Sequence, residues 1–186
     1  MKRVLAFDLS RKSCGWSHDS DRPGVPACGS LRLPKIEGSS EDGWDYGTTF
    51  AAFWLFARKK IDEAKPDILA YEAPLMPRPA RNNDRQNFVT TEQTVRALFG
   101  LATLAETIAA LSGIEPYEAN IRTVKKFFAG HGFAEKEDIM ARCRQLGWPI
   151  TDDDSADACA VWALAKSTHD PKFAYATTPL LGRLAL

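Results

Sequence analysis

The chain has 186 residues, enough for one domain with a real core, so we expect a single domain over residues 1–186. Its 24 basic and 24 acidic side chains give zero net charge, which weighs against a nucleic-acid-binding protein, although the distribution of charge matters more than its sum. A hydrophobic fraction of 45% gives no sign of disorder, and charges interrupt the longest apolar stretches, so no membrane span is expected.

The first part of the chain predicts an antiparallel three-stranded meander. Its β-rich segments lie at 3–9, 13–19 and 27–33, with turn residues between them. The first apolar run ends in a charge and is too short for a signal peptide. Apolar residues then recur at helical spacing over 44–65, and DILAYE at 67–72 follows as a buried strand.

The remainder of the chain predicts helices alternating with one more strand. After a proline-rich and arginine-rich loop at 73–84, we expect a helix over 86–111, a strand over 114–119, and helices over 121–129, 136–146 and 154–168. This order predicts an α/β fold in which helices flank a central mixed five-stranded sheet. The helix over 86–111 is apolar on more than one side, so we expect its own sheet and a partner subunit to bury it.

Four carboxylates stand at the edges of apolar elements. Asp8 ends VLAFD, Glu72 ends DILAYE, and Asp154 and Asp157 form a D-x-x-D pair whose spacing puts both on one helix face. Each acid alone could be a solvated strand end, and Asp152 or Asp153 could cap the helix. Together, carboxylates from three distant segments would repel one another, and a divalent cation is the expected compensation.

Positive charge is concentrated in two segments. Residues 121–148 carry six basic side chains against three acids, and residues 76–96 carry four against two. Basic segments flanking an acidic centre suit a protein that binds phosphates and cuts one of them. Two metal ions at such a centre could activate a water and stabilise the leaving 3′-oxygen of a phosphodiester.

Four motifs in order resemble the RuvC family of Holliday-junction resolvases, including its phage-type members. FDLSRKSCGWS carries an Asp followed seven residues later by Gly, and AYEAPL carries the second acid. VKKFFAGHGFAEKEDI is similar to the family's basic stretch, and DSADACAVWALA to its closing motif. The matching positions are Asp8, Gly15, Glu72, Lys125, Gly130, Gly132, Lys136, Asp154 and Asp157.

This resemblance implies an RNase H-like fold and a crossover junction endodeoxyribonuclease. Asp8, Glu72, Asp154 and Asp157 would be the catalytic ligands of Mg²⁺ or Mn²⁺, with two ions per site, and Lys125 and Lys136 would contact the DNA backbone. A homodimer would nick two opposed strands of a four-way junction. It would act in the cytosol of a bacterium or a phage-infected cell. Cytosolic location agrees with four cysteines that form no C-x-x-C motif and are expected to be reduced.

The chain departs from the family pattern in three places. Ser10 replaces the usual Gly after the first acid, and Leu75 or Met76 stands where an aromatic wedge is common. The following loop is long and rich in Pro and Arg. We expect this region to contact DNA through Leu75, Met76, Arg78, Arg81 and Arg85. In the basic stretch, we expect a further DNA contact from Lys126.

Three other functions fit part of the pattern. An RNase H-like nuclease with the same acids could act on RNA, RNA–DNA hybrid or other DNA. A junction-binding protein could keep the acids without catalysis. A sugar-kinase or actin-like phosphotransferase shares the first hairpin, but it needs two such domains and phosphate loops in each.

Overall fold

The described part of the chain folds as a mixed sheet with helices on both faces. The computed structural model describes residues 1–34, 45–74, 92–170 and 172–173. Its strands are β1 (Val4–Leu9), β2 (Ser13–Asp19), β3 (Pro26–Arg32), β4 (Ile68–Glu72) and β5 (Glu115–Ala119). Its helices are α1 (Tyr46–Ala64), α2 (Glu92–Leu111), α3 (Ile121–Ala129), α4 (Lys136–Gln145) and α5 (Asp153–His169). The predicted element order is confirmed, and the predicted helix start at residue 86 lies outside these residues.

The sheet has the strand order β3-β2-β1-β4-β5. The first three strands pair antiparallel, as the predicted meander requires. Strand β4 pairs parallel with β1, and β5 pairs parallel with β4, so the carboxyl ends of these three strands meet at one edge. The predicted mixed five-stranded sheet is therefore confirmed for the described residues.

The sheet separates two helical layers, and alternation along its strands decides which side chains face each layer. On one face, α3, α4 and α5 cover a core that includes Val4 and Ala6 of β1. On the other face, α1 and α2 cover a core that includes Leu5 and Phe7 of the same strand. Asp8 continues the alternation of Val4 and Ala6, so it lies on the side of α5.

Helix α2 is long and apolar enough to cross a membrane by length and composition alone, and it is the one such helix among the described residues. In the structure its residues Leu101, Ala105 and Ile108 are fully buried in the core that α2 forms with α1 and the sheet. The helix therefore packs as a core helix of a globular fold. Its outer side leaves Phe99 37% and Leu111 69% exposed, and burial of this side by a partner subunit stays a prediction.

A buried ion pair fixes the C-terminal end of α5 to the sheet. The Lys166 side chain is 3% exposed and donates to the carboxylate of Asp19 on β2 and to the Lys2 carbonyl oxygen, 2.7 Å away. Asp19 also accepts hydrogen bonds from the Val4 amide at 2.7 Å and the Trp162 indole at 3.4 Å. This network joins α5 to β1 and β2. It lies in the last turn of α5, at the opposite end of the helix from the acidic first turn.

We predict that Lys166→Met lowers the free energy of unfolding by about 3 kcal/mol, because it leaves a partly buried carboxylate without its cation. The matched control is Lys2→Met, which removes an exposed pair with Glu115 (2.5 Å) whose side chains are 49% and 47% exposed. That change should cost less than about 1 kcal/mol. Urea denaturation of both variants tests this, and equal losses would contradict it.

Candidate active site

The carboxyl ends of β1 and β4 bring Asp8 and Glu72 together. These strands are adjacent and parallel, with Phe7 paired to Tyr71. Asp8 and Glu72 come one residue later on each strand, close enough for each carboxyl group to shift the pKa of the other. Asp8 is only 8% exposed, so this pair of carboxyl groups is largely removed from water.

Helix α5 reaches the same place because Gly15 on β2 has no side chain. Gly15 pairs with Asp8 across the antiparallel ladder. A Cβ atom at position 15 would lie 2.0 Å from the carbonyl oxygen of Asp154, much closer than atoms can approach. The first turn of α5 therefore packs directly against the strand backbone, and the Ser13 hydroxyl donates a hydrogen bond to the Asp154 carboxylate. This packing places the D-x-x-D pair beside the acids of the sheet.

Burial and mutual repulsion raise the pKa values of the acids. The pKa of Asp8 is raised well above its ordinary value, first by burial and then by the charges of Glu72, Asp157 and Asp154. Burial, followed by the charge of Glu72, raises the pKa of Asp157 to about 6. Burial also raises the pKa of Glu72, although its interaction with the Asp8 side chain opposes this. The four predicted acids therefore share one electrostatic environment.

Two of the three predicted DNA-contacting lysines lie close to these acids. The positive charges of Lys125 on α3 and Lys136 on α4 partly offset the raised pKa of Glu72. Lys136 also pairs with Asp153 at 2.5 Å, and this hydrogen bond raises the pKa of Lys136. Lys126 is exposed on α3. The site therefore places cations that could bind a phosphate next to carboxylates that could hold a metal.

Helix capping sets the positions of these lysines. Helix α3 begins directly after β5, and the side chain of Asn120 caps it by accepting from the Arg122 amide at 3.0 Å. Helix α4 begins with a capping box between Glu135 and Asp138, whose carboxylate accepts from the Glu135 amide at 2.9 Å. Lys136 is the first residue of α4, so the cap fixes the position of its backbone and the direction in which its side chain leaves the helix.

The donor set fits a hard divalent cation by its chemistry. Carboxylate oxygens are the preferred ligands of Mg²⁺ and Mn²⁺, and a cation would offset both the burial and the mutual repulsion that raise the pKa of Asp8. The described residues contain no group of three or more His, Cys, Asp or Glu side chains already arranged to hold a metal ion. The Asp154 carboxylate accepts a hydrogen bond from Ser13, so metal ligation by Asp154 requires this carboxylate to exchange a partner.

Ser10, which stands where the motif resemblance would place a glycine, adopts its conformation without backbone strain. Its hydroxyl donates to the Ser13 carbonyl oxygen at 2.9 Å, and its amide donates to the same oxygen at 3.1 Å. Among the described residues other than glycine, only Lys65 has a positive φ. The β1–β2 turn therefore does not need glycine at position 10 to present Asp8.

Some predicted contacts lie outside the described residues, and some observed contacts were not predicted. Those outside are Leu75, Met76, Arg78, Arg81 and Arg85. The contacts of Ser13 with Asp154 and of Lys136 with Asp153 had no sequence signal, because both acids also fit an ordinary first helical turn. The contact at Gly15 had one, because glycine inside a strand indicates close approach of another backbone.

Solved structures are similar to the chain over most of its length at low sequence identity. Thermus thermophilus RuvC is 19% identical with a TM-score of 0.58, covering 90% of this chain and 96% of that one. T. thermophilus RuvC in complex with Holliday junction substrate is 14% identical with a TM-score of 0.64, covering 95% and 94%. The yeast mitochondrial Holliday junction resolvase Ydc2 is 14% identical with a TM-score of 0.54, covering 93% and 83%.

No protein-family model matches the chain, and no curated protein matches it. The sheet order and the flanking helices define the RNase H-like class of folds. Within this class, the chain has a RuvC-like fold, as the resemblance of its motifs implied.

We predict that Gly15→Ala displaces the first turn of α5 and lowers the free energy of unfolding by about 1–3 kcal/mol, because the new methyl group overlaps the Asp154 carbonyl. The matched control is Gly132→Ala, whose Cβ would meet its nearest atom at an ordinary 3.4 Å. Denaturant unfolding of the two variants checks this. A Gly15→Ala protein as stable as the Gly132→Ala protein would show that α5 does not pack so closely.

We also predict that the acids of the site cost stability at neutral pH. The pKa of Asp157 is about 6 in the folded chain against an ordinary 3.8, so the folded state retains a proton that the unfolded state loses. As pH rises from about 4 to about 6, this residue should lower the free energy of unfolding by on the order of 2 kcal/mol. Asp157→Asn should make this decline smaller, leaving the part due to Asp8 and Glu72, and should be more stable than wild type at pH 7 in EDTA.

Urea denaturation between pH 4 and pH 7 measures the decline. The control is Asp62→Asn on α1, since the Asp62 side chain is 68% exposed. An unchanged pH dependence in Asp157→Asn would mean that Asp157 is not buried among like charges.

Proposed function

We propose that this protein is a metal-dependent, structure-selective endodeoxyribonuclease that resolves four-way DNA junctions. The observation that carries the proposal is the convergence of Asp8, Glu72, Asp154 and Asp157 on one edge of an RNase H-like sheet. Lys125 and Lys136 face the same place. A nuclease needs both parts, because carboxylates alone would repel a phosphodiester.

The four acids would hold two Mg²⁺ or Mn²⁺ ions, which when bound activate a water and stabilise the leaving 3′-oxygen. Asp8 and Glu72 come from rigid strands, and the first turn of α5 is fixed against β2. A site built on such elements keeps its ligands in a constant geometry. Lys125 and Lys136 would bind the phosphates on either side of the scissile bond and orient the strand.

The choice of branched DNA as substrate is supported by the solved structures. One similar protein is described in complex with a Holliday junction substrate, and another as a mitochondrial Holliday junction resolvase. Two nicks placed symmetrically across a junction require two equivalent sites, so we propose a homodimer with one site per subunit. The exposed apolar residues Phe99 and Leu111 of α2 suit such an interface. Action in the cytosol is part of the same proposal.

The same acids would also serve a nuclease that acts on RNA, RNA–DNA hybrid or unbranched DNA. The zero net charge of the chain favours selective over general binding, because non-specific affinity for nucleic acid depends on the number of phosphates neutralised. Substrate choice is therefore decided by a panel that contains a labelled four-way junction, a linear duplex of the same sequence and an RNA–DNA hybrid, each with Mg²⁺ or with EDTA.

We predict that wild type makes paired, symmetric, Mg²⁺-dependent nicks in the junction and leaves the duplex and the hybrid intact. Asp8→Asn and Asp157→Asn should each lower the cleavage rate by at least about 100-fold while retaining junction binding, because each removes a metal-ligating charge but no phosphate contact. The control is Asp62→Asn, which should cut as wild type does. Gel analysis of single-turnover cleavage and of binding in EDTA gives both readouts.

Three outcomes would change the proposal. Cleavage by the Asp8→Asn and Asp157→Asn variants at the wild-type rate would remove the metal site from the mechanism. Cutting of the hybrid or the duplex in place of the junction would keep the site and discard the junction as substrate. Tight junction binding without turnover in Mg²⁺ or Mn²⁺ would favour a non-catalytic junction-binding protein.

A further inference from the structure

The loop between α3 and α4 presents an aromatic ring to solvent. Phe133 is 80% exposed, whereas its neighbour Ala134 is 1% exposed. Single exposed apolar residues are common and need no explanation by themselves. Phe133 differs from such residues because its backbone is fixed and because a guanidinium lies over its ring.

Hydrogen bonds and packing on both sides fix the loop. Gly130 ends α3 in the left-handed conformation, and its amide donates to the Lys126 carbonyl oxygen at 3.1 Å. The Ala134 amide donates to the His131 carbonyl oxygen at 3.3 Å, and the side chain of Ala134 is part of the core. The capping box of α4 begins at the next residue. Phe133 is therefore held out of the core between two anchored positions.

Basic side chains lie near the ring, together with the exposed acids Glu135, Glu137 and Asp138 that follow it within five residues. The guanidinium of Arg122 lies 5.4 Å from the centre of the Phe133 ring, which is the geometry of a cation–π contact. Lys126 is exposed on α3, and Lys136 begins α4 three residues after Phe133. Lys136 pairs with Asp153 in the acidic turn of α5, so the loop adjoins the site. A protein-binding hot spot would be expected to have further apolar neighbours, whereas an exposed aromatic ring backed by a guanidinium suits stacking on a nucleobase.

We propose that Phe133 stacks on a nucleobase of the bound strand, with Arg122 supporting the opposite face of the ring. The inference rests on the proposed function and adds a base contact beside the cleaved phosphate, contributed by the α3–α4 loop. An unpaired or splayed base offers an open π-face at a branch point, whereas bases inside a continuous duplex do not. Phe133 therefore favours branched or single-stranded DNA over duplex.

The test compares three substitutions at this position. Phe133→Leu keeps an apolar side chain without a ring, Phe133→Ala removes both, and Phe133→Trp keeps a ring that can stack. Leu55→Ala is the matched control, since Leu55 is 69% exposed on α1. Because position 133 is exposed, none of these changes should alter the melting temperature.

Binding to a four-way junction, a single strand and a linear duplex is measured in EDTA over a range of salt concentrations. We expect Phe133→Ala and Phe133→Leu to weaken junction and single-strand binding roughly 5- to 150-fold, with Phe133→Trp and Leu55→Ala near wild type. The salt dependence of binding should stay unchanged in the Phe133 variants, because no phosphate contact is lost. Lys126→Ala should reduce that dependence by about one counterion.

A second readout reports the contact directly. A junction that carries 5-iodouracil at positions flanking the crossover is irradiated with the wild-type protein, and mass spectrometry identifies the crosslinked residue. Crosslinking at Phe133 supports the proposal. Wild-type affinity of Phe133→Leu together with crosslinks elsewhere overturns it and leaves the nuclease assignment intact. Stacking at Phe133 without Mg²⁺-dependent cutting supports it and overturns the nuclease assignment instead. No binding of wild type to any of the nucleic acids overturns both.

Discussion

Direct packing of the first turn of α5 on the backbone of β2 is the contact on which the site depends. Gly15 allows this contact because any side chain there would overlap the Asp154 carbonyl. The same residue pairs with Asp8 across the ladder, so the helix turn and the strand acid meet at one point. With β4 parallel to β1, Glu72 comes to the same edge. One missing side chain thus brings together carboxylates from three distant segments.

Helix α5 is fixed at both ends, and this holds mutually repelling acids in place. At its start, Asp152 caps the helix and accepts a hydrogen bond from Ser30 on β3 at 2.5 Å. At its other end, Lys166 pairs with Asp19 on β2. Between these ends its small and apolar residues pack in the core against the sheet. Burial first, and then the charges of the neighbouring acids, raise the pKa of Asp8, so the packing of the helix must outweigh both the desolvation and the repulsion of these acids.

The order of elements and the acids could be predicted from the sequence because both depend on local pattern. Alternation along β1 predicts that Asp8 shares a face with Val4 and Ala6, and the apolar run before Glu72 predicts a buried strand. Pairings between side chains depend on tertiary distance and leave no such pattern. The sequence motif around Lys136, for example, would be the same whether its side chain pairs with Asp153 or contacts only a phosphate. The exposure of Phe133 could not be predicted from the sequence either, since large apolar residues are buried more often than exposed.

The zero net charge of the chain is consistent with nucleic acid binding because its acidic and basic side chains occupy separate parts of the structure. Acids are concentrated at the first turn of α5 and the ends of β1 and β4, while cations lie on α3 and α4 beside them. A phosphate backbone approaching the acids alone is repelled, so stable binding requires a path that crosses the cations first. A chain with this separation gains little from contact with an arbitrary duplex. Under the proposed function it gains more from a substrate whose shape brings one phosphate to the acids while the neighbouring phosphates contact the lysines, and a branched DNA has such a shape.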